Sequence, residues 1–231
     1  MKYLQILLLG VFTVSGLTVF SNTAHAIKCE KVKPSYSFKT STARTEYIRT
    51  ESAASLTDMH DSQSGGTVGG LGGGETGFKV ETEFSYITDR KAACVHLKHI
   101  KLTFYAKPTI HIASNFRRGS CEYSAVFAHE KKHVREVQKF VREFGPKMKN
   151  KLAREILPST QTQYGPIDAD KVENAQEKIQ EDIFTALEEY QQEIMPILAE
   201  RQQAIDSPEE YARVDSKCNG WNEVLFEESE E

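Results

Sequence analysis

Residues 122–156, EYSAVFAHEKKHVREVQKFVREFGPKMKNKLAREI, decide the fold. Apolar side chains recur in this stretch at steps of mostly three and four residues, which is the period of one long amphipathic helix. They are Tyr123, Val126, Phe127, Val134, Val137, Val141, Phe144, Met148, Leu152 and Ile156. Ser120 is a suitable N-cap for this helix, and we expect Gly145 and Pro146 to kink or divide it.

A second long helix is predicted from residue 168 to about residue 205, after a loop over residues 158–166. Pro196 lies within it and predicts a kink. Ser207 and Pro208 mark a further helix start. Because the loop between the two long helices is short, we expect them to pack as an antiparallel hairpin.

The chain before Ser120 has the two-residue period of β-strands. Strands are predicted over residues 35–50 (one or two), 78–86, 94–105 and 109–113, with a short helix over residues 52–60. The apolar phase changes near Lys98 and His99, which indicates a β-bulge there. The predicted class is therefore α+β, with an N-terminal mixed or antiparallel sheet followed by the helical hairpin.

A glycine-rich run, SGGTVGGLGGGETG, occupies residues 64–77. It has too little side chain to bury and too much backbone freedom to fix, so we expect a flexible surface loop. Its spacing approaches that of a phosphate-binding loop, but Glu75 stands where the lysine is required, and a carboxylate there would repel phosphate. The sequence therefore does not support nucleotide binding.

The start of the chain indicates export. Residues 1–26 have the charge, apolar run and cleavage pattern of a signal peptide, and residues 223–231 form an acidic tail. A single domain is expected over residues 27–222, in the periplasm or secreted. Its four cysteines favour two disulfides, and of the three possible pairings we prefer Cys94–Cys121 with Cys29–Cys218.

Composition excludes several classes of protein. Charged residues make up 27% of the chain and hydrophobic ones 39%, which is too polar for a multi-span membrane protein, and the 10% of aromatic residues is too high for a disordered one. The formal net charge of −4 argues against nucleic acid as a partner. We expect no membrane span in the mature chain, and the oligomeric state is unknown.

The first long helix contains the motif His129-Glu130-Lys131-Lys132-His133. The four-residue spacing puts both imidazoles on one helical face, one turn apart, where they can bind a single zinc ion. Zinc lowers the pKa of a water molecule, and Glu130 can take its proton as the water attacks a carbonyl. The motif therefore predicts His129 and His133 as metal ligands and Glu130 as the general base of a hydrolase.

Further features accompany this motif: Thr82-Glu83-Phe84, a strand that begins at Cys94, a short strand after Pro108, and residues 205–211. With them, the sequence resembles a bacterial family of predicted secreted zinc-dependent proteases, a domain of unknown function with an HExxH zincin motif. The resemblance covers most of the mature chain. It implies a small zincin-like metallopeptidase fold, with a mixed sheet over the active-site helix.

A catalytic zinc takes three protein ligands and one water, and no histidine follows His133, so a carboxylate or an upstream histidine must complete the site. In relatives from that family, the segment after the hairpin is Tyr-Asp-x-x-Thr-x-His-Gly. This chain keeps the aspartate as Asp206 and has Tyr211 where the histidine falls. Asp206 is therefore the predicted third ligand, with Glu189 or Glu193 as the alternative.

Two functional hypotheses follow. The first is an exported zinc metalloendopeptidase, whose peptide or protein substrate pairs with an edge strand at residues 109–113. The second is a non-catalytic periplasmic or secreted binding protein with a structural or vestigial zinc site. Glu130 favours the enzyme because a structural site has no use for it, whereas Tyr211 in place of a histidine favours the binding protein.

Overall fold

The computed structural model describes residues 27–60, 67–89, 91–219 and 221. The predicted signal peptide and acidic tail lie outside the described residues. In chain order the elements are β1 (Ser35–Thr42), β2 (Glu46–Ile48), α1 (Ala53–His60), β3 (Gly70–Asp89), β4 (Ala92–Ile112), α2 (Cys121–Lys151), a π-helical turn (Leu152–Ile156), α3 (Leu157–Ser159), β5 (Gln163–Asp168), a 3₁₀ turn (Ala169–Lys171), α4 (Val172–Ile205) and α5 (Pro208–Asp215). The predicted α+β class is confirmed.

Strand β4 is the centre of a mixed five-stranded sheet. β3 pairs with it antiparallel along one side, and β5 (antiparallel), β1 and β2 (both parallel) follow one another along the other side. Glu83 pairs with His99 and Phe84 with Leu97, so Lys98 is the extra residue of a bulge. The predicted bulge is confirmed, and among the described residues no strand pairs with the other side of β3, so β3 is an edge strand.

The separate strands predicted over residues 94–105 and 109–113 form one continuous strand, β4. The amide nitrogen of Ala113 donates to the β3 side, so the nitrogen of Pro108, five residues earlier, faces the opposite side. There, β1 ends opposite Ala106 and β2 begins opposite Thr109. The proline lies in the gap between two partner strands, where no amide donor is needed.

The long helices cover one face of the sheet and enclose the main core. α2 begins at Ser120, whose hydroxyl accepts from the backbone nitrogen of Tyr123 at 3.1 Å, as predicted. Arg201 near the end of α4 pairs with Glu136 and Glu143 of α2, so the hairpin is antiparallel, as predicted. α2 is not divided at Pro146, because this proline lies inside the continuous helix.

Two predicted loops contain strands. β5 begins at Gln163, so it occupies the end of the predicted loop over residues 158–166, and it pairs with the start of β4. The flexible loop predicted over residues 64–77 is wrong for residues 70–77, which form the first part of β3. The physical reason is close packing against α2: a Cβ on Gly72 would lie 2.4 Å from the carbonyl oxygen of Glu130. Glycine serves here as a strand residue that lets a helix approach.

Two disulfides link the cysteines, as expected, but the preferred pairing is wrong. The bonds are Cys29–Cys94 and Cys121–Cys218. The first joins the N-terminal segment to β4, and the second joins the start of α2 to the chain after α5, which turns back onto that helix. Disulfides are typical of proteins that fold outside the reducing cytoplasm. Among the described residues, no helix has the length and apolar composition needed to cross a bilayer.

Candidate metal centre

Two elements distant in the sequence bring three side chains together. His129 and His133 lie on the inner face of α2, and Asp206 is the residue at which α4 ends. The Oδ1 atom of Asp206 is 3.1 Å from Nε2 of His129 and 3.0 Å from Nε2 of His133. The two Nε2 atoms are 3.2 Å apart. The three atoms therefore form a nearly equilateral triangle.

This triangle fits a metal ion. Four ligand atoms around a tetrahedral zinc, with bonds of about 2.0–2.1 Å, lie about 3.3–3.4 Å from one another. Two imidazole nitrogens and one carboxylate oxygen are a ligand set that zinc uses in catalytic sites, where the fourth position stays open. In this arrangement His129, His133 and Asp206 would hold the ion.

The other ring nitrogen of each histidine has a partner that fixes the ring. Nδ1 of His129 is 3.2 Å from Oε1 of Glu210 in α5, and Nδ1 of His133 is 2.5 Å from Oε1 of Gln202 in α4. Partners of this kind select the tautomer that leaves Nε2 free for a metal. Glu210 is itself held, because Lys132 binds its carboxylate at 2.6 Å.

The electrostatics of the cluster favour a charged Asp206. Burial is the strongest single influence on both histidines and acts to lower their pKa, but the hydrogen bonds to Asp206, together with the other acceptors and the charges of Asp206 and Glu130, raise the pKa of His129 and of His133. Burial also acts to raise the pKa of Asp206, yet the hydrogen bonds from the two imidazoles hold it well below its usual range.

Glu130 lies beside the triangle and differs from Asp206 in its surroundings. It is only 5% exposed, and burial raises the pKa of its carboxyl to about 7, although the two histidines act to lower it. A backbone hydrogen bond from Gly72 of β3 also lowers this pKa. Glu130, His129 and His133 form a looser group, with ligand atoms within 4.8 Å of one another. The shorter separations favour Asp206 as the ligand and leave Glu130 free to transfer protons.

The two glutamates predicted as alternative third ligands lie away from the histidines. Glu189 and Glu193 are exposed on α4 and do not line the cavity beside the histidines. The α4 residue that reaches His133 is Gln202, one turn before Asp206. Sequence analysis missed Gln202 and the contact of Glu210, because neither residue belongs to a metal-ligand pattern.

A cavity of about 950 Å³ opens beside the three ligand atoms. Tyr211 of α5 lines it, with its ring centroid 5.8 Å from that of His129. Burial and the neighbouring charge of Asp206 raise the pKa of Tyr211 to about 12, so its phenol stays a neutral hydrogen-bond donor. Tyr211 thus faces the candidate metal centre.

The strand beside the cavity is not the one that was predicted. Residues 109–113 were expected to form an edge, but the β4 part of this segment has β2 on one side and β3 on the other. The free edge belongs to the glycine segment of β3. Gly69 accepts from Ala113 of β4, so Gly70 and Gly72 turn their peptide groups away from β4, toward the cavity.

Gln202→Ala is expected to weaken zinc affinity about 10- to 100-fold, because His133 would lose the partner that fixes its ring. Competition with a chromogenic chelator measures this affinity. Gln203→Ala is the matched control, since Gln203 is the next residue of α4 and is exposed. Equal zinc affinity of the two variants would show that Gln202 does not orient the ligand.

No protein-family model, curated protein or solved structure matches this chain. The resemblance to secreted zinc-dependent proteases therefore stays a prediction.

Proposed function

We propose that this chain is an exported zinc metallopeptidase with a zincin-like fold, acting on peptide bonds in the periplasm or outside the cell. The observation that carries the proposal is the triangle of His129, His133 and Asp206 atoms, 3.0–3.2 Å apart, with the buried carboxyl of Glu130 next to it. A structural zinc site has four protein ligands and no need of a buried carboxyl beside them. Three ligands and a cavity favour catalysis.

Each side chain has a role in such a reaction. Zinc, when bound, activates water and polarises the scissile carbonyl. Glu130 takes a proton from the attacking water and passes it to the leaving amine, a task that suits a carboxyl with a pKa of about 7. Tyr211 remains protonated and can donate a hydrogen bond to the oxyanion.

The edge of β3 offers a place for the substrate backbone. Gly70 turns its N–H and carbonyl groups toward the cavity that also contains the two histidines, and Gly72 turns its carbonyl there, since its N–H donates to Glu130. An extended peptide can pair with such an edge, which would fix its scissile bond relative to Glu130. This replaces the predicted pairing with residues 109–113.

Glu130→Gln is expected to retain one zinc per chain and to lose hydrolysis of a peptide library by at least about 100-fold, the contribution typical of a general base. Metal content is measured by elemental analysis and cleavage by mass spectrometry. Glu122→Gln, on the same helix, is the control and should leave both unchanged.

The outcomes separate the two hypotheses. Loss of zinc in Glu130→Gln would make Glu130 a ligand and contradict the proposed mechanism. Stoichiometric zinc in the wild-type chain, without cleavage of any library peptide, would instead support the non-catalytic binding protein. His133→Ala should lose the zinc under either hypothesis.

A further inference from the structure

We propose that the site accepts extended, unfolded stretches of polypeptide that carry bulky apolar side chains on both sides of the scissile bond. This inference rests on the proposed peptidase function and names the class of substrate. It comes from the two ends of the cavity, which are built from different parts of the core.

One end lies beyond His133, toward the middle of α2. Val137 is one turn after His133, and Met195 and Leu198 of α4 face it across the cavity. All three belong to the main hydrophobic core or pack against it. Gly73 and Gly74 of β3 line the cavity but leave space, since neither has a side chain. This end is an apolar pocket, which we call the α4 pocket.

The other end lies before His129, toward the start of α2. Val126 is about one turn before His129, and Phe116 and Trp221 line the cavity there. The rings of Phe116 and Trp221 pack edge to face with centroids 5.9 Å apart. These residues form or contact a second, separate hydrophobic cluster. We call this end the Trp221 pocket.

The two pockets flank the ligand triangle at a spacing that suits a peptide. Val126 and Val137 are separated by about 16 Å along α2, at about 1.5 Å per residue. An extended peptide of about five residues covers the same distance at about 3.3 Å per residue. A chain paired with the β3 edge would therefore pass the metal centre with side chains available to both pockets.

The charge of the cavity wall agrees with an apolar substrate. No lysine or arginine lines the cavity among the described residues, whereas Glu130, Asp206 and Asp215 do. The carboxylates of the cavity wall would thus repel acidic side chains of the substrate. These side chains would also lose their water on binding and find no cation to pair with. Apolar side chains are mostly buried in folded proteins, and a native strand rarely has a free backbone edge. Unfolded chains meet both requirements.

The experiment uses Glu130→Gln, loaded with zinc, so that bound peptide is not consumed. The probe is a fluorescein-labelled dodecapeptide of alternating leucine and serine, and the comparison is the same peptide with glutamate in place of leucine. We expect fluorescence anisotropy to give at least about 10-fold tighter binding of the leucine peptide. Equal affinities would overturn the inference.

A negative charge introduced at the α4 pocket tests whether this pocket binds an apolar side chain of the substrate. Ala199 is exposed on α4 yet lines the cavity, so Ala199→Glu should fold normally and weaken the leucine peptide about 10-fold. The same change should improve binding of an arginine version of the peptide. Gln203→Glu adds an equal charge one turn further on, outside the cavity, and should change neither affinity.

Cleavage by the wild-type protein completes the test. A reduced and alkylated protein should be cut between apolar residues, and its native form should resist. Cuts without apolar neighbours, or equal cleavage of the native form, would overturn the substrate class while leaving the peptidase in place. Selective binding of the leucine peptide without any hydrolysis would overturn the proposed function and leave the apolar cleft as a binding site.

Discussion

Asp206→Ala is expected to weaken zinc binding by about 100- to 1000-fold and to abolish peptide hydrolysis. The magnitude follows from sharing the roughly 10–16 kcal/mol of a protein zinc site among four ligands. Two imidazoles alone would leave the ion half solvated. Removal of Asp206 also leaves His129 and His133 without the carboxylate oxygen that lies within hydrogen-bond distance of both Nε2 atoms. Chelator competition and elemental analysis measure the loss.

Glu193→Ala is the control for this prediction. Glu193 is an exposed carboxylate of α4, so its removal should leave zinc affinity unchanged and alter the free energy of unfolding by no more than about 0.5 kcal/mol. The opposite result, with zinc lost in Glu193→Ala and retained in Asp206→Ala, would place the site between the two long helices. It would contradict the geometry of the candidate metal centre.

Gly72→Ala is expected to lower the free energy of unfolding by about 1–3 kcal/mol and to reduce the rate of peptide hydrolysis about 100-fold. The new Cβ would lie 2.4 Å from the carbonyl oxygen of Glu130 and 2.8 Å from its Cα, and neither backbone atom can rotate away. α2 and β3 would have to separate at the residue that carries the general base. Thermal unfolding and peptide cleavage measure the two effects.

Gly77→Ala is the matched change on the same strand. A Cβ at Gly77 would approach only the ring and hydroxyl of Tyr105, which lie at the movable end of a side chain. We expect a small loss of stability and no change in hydrolysis per folded molecule. If both glycine variants lost hydrolysis equally, general disturbance of β3 would explain the result, and the close approach at Glu130 would not.

Local patterns in the sequence predicted the helical half of the protein well. The three-to-four-residue period, the N-cap at Ser120 and the pair of histidines one turn apart depend on residues near one another along the chain. The bulge at Lys98 is also predictable from the sequence, because the two-residue alternation of apolar side chains changes phase there. Asp206 came from resemblance rather than from any local rule, and its position beside both histidines is what the structure adds.

The wrong predictions have a common physical origin, since each depends on contacts between segments that are distant in the sequence. Glycines carry no side-chain period, so the strand at residues 70–77 depends on α2 approaching it, which no local pattern reveals. In the sequence, Pro108 predicts a break between two strands. Only the positions at which β1 ends and β2 begins show why β4 continues through it. The pairing of Cys121 with Cys218 depends on where α5 returns, and sequence alone left three pairings possible.

The disulfide Cys121–Cys218 has a consequence for the assembly of the candidate metal centre. His133 and Asp206 are 73 residues apart in sequence, and the disulfide closes a loop of 97 residues that contains them both. In the chain-entropy model such a crosslink contributes about 4–5 kcal/mol by restricting the unfolded chain. It raises the effective concentration of α5 and Asp206 around α2 whether or not an ion is bound. We therefore expect an ion at this centre to exchange without unfolding of the chain, and reduction of the disulfide to disrupt the arrangement of His129, His133 and Asp206 more than a chelator does.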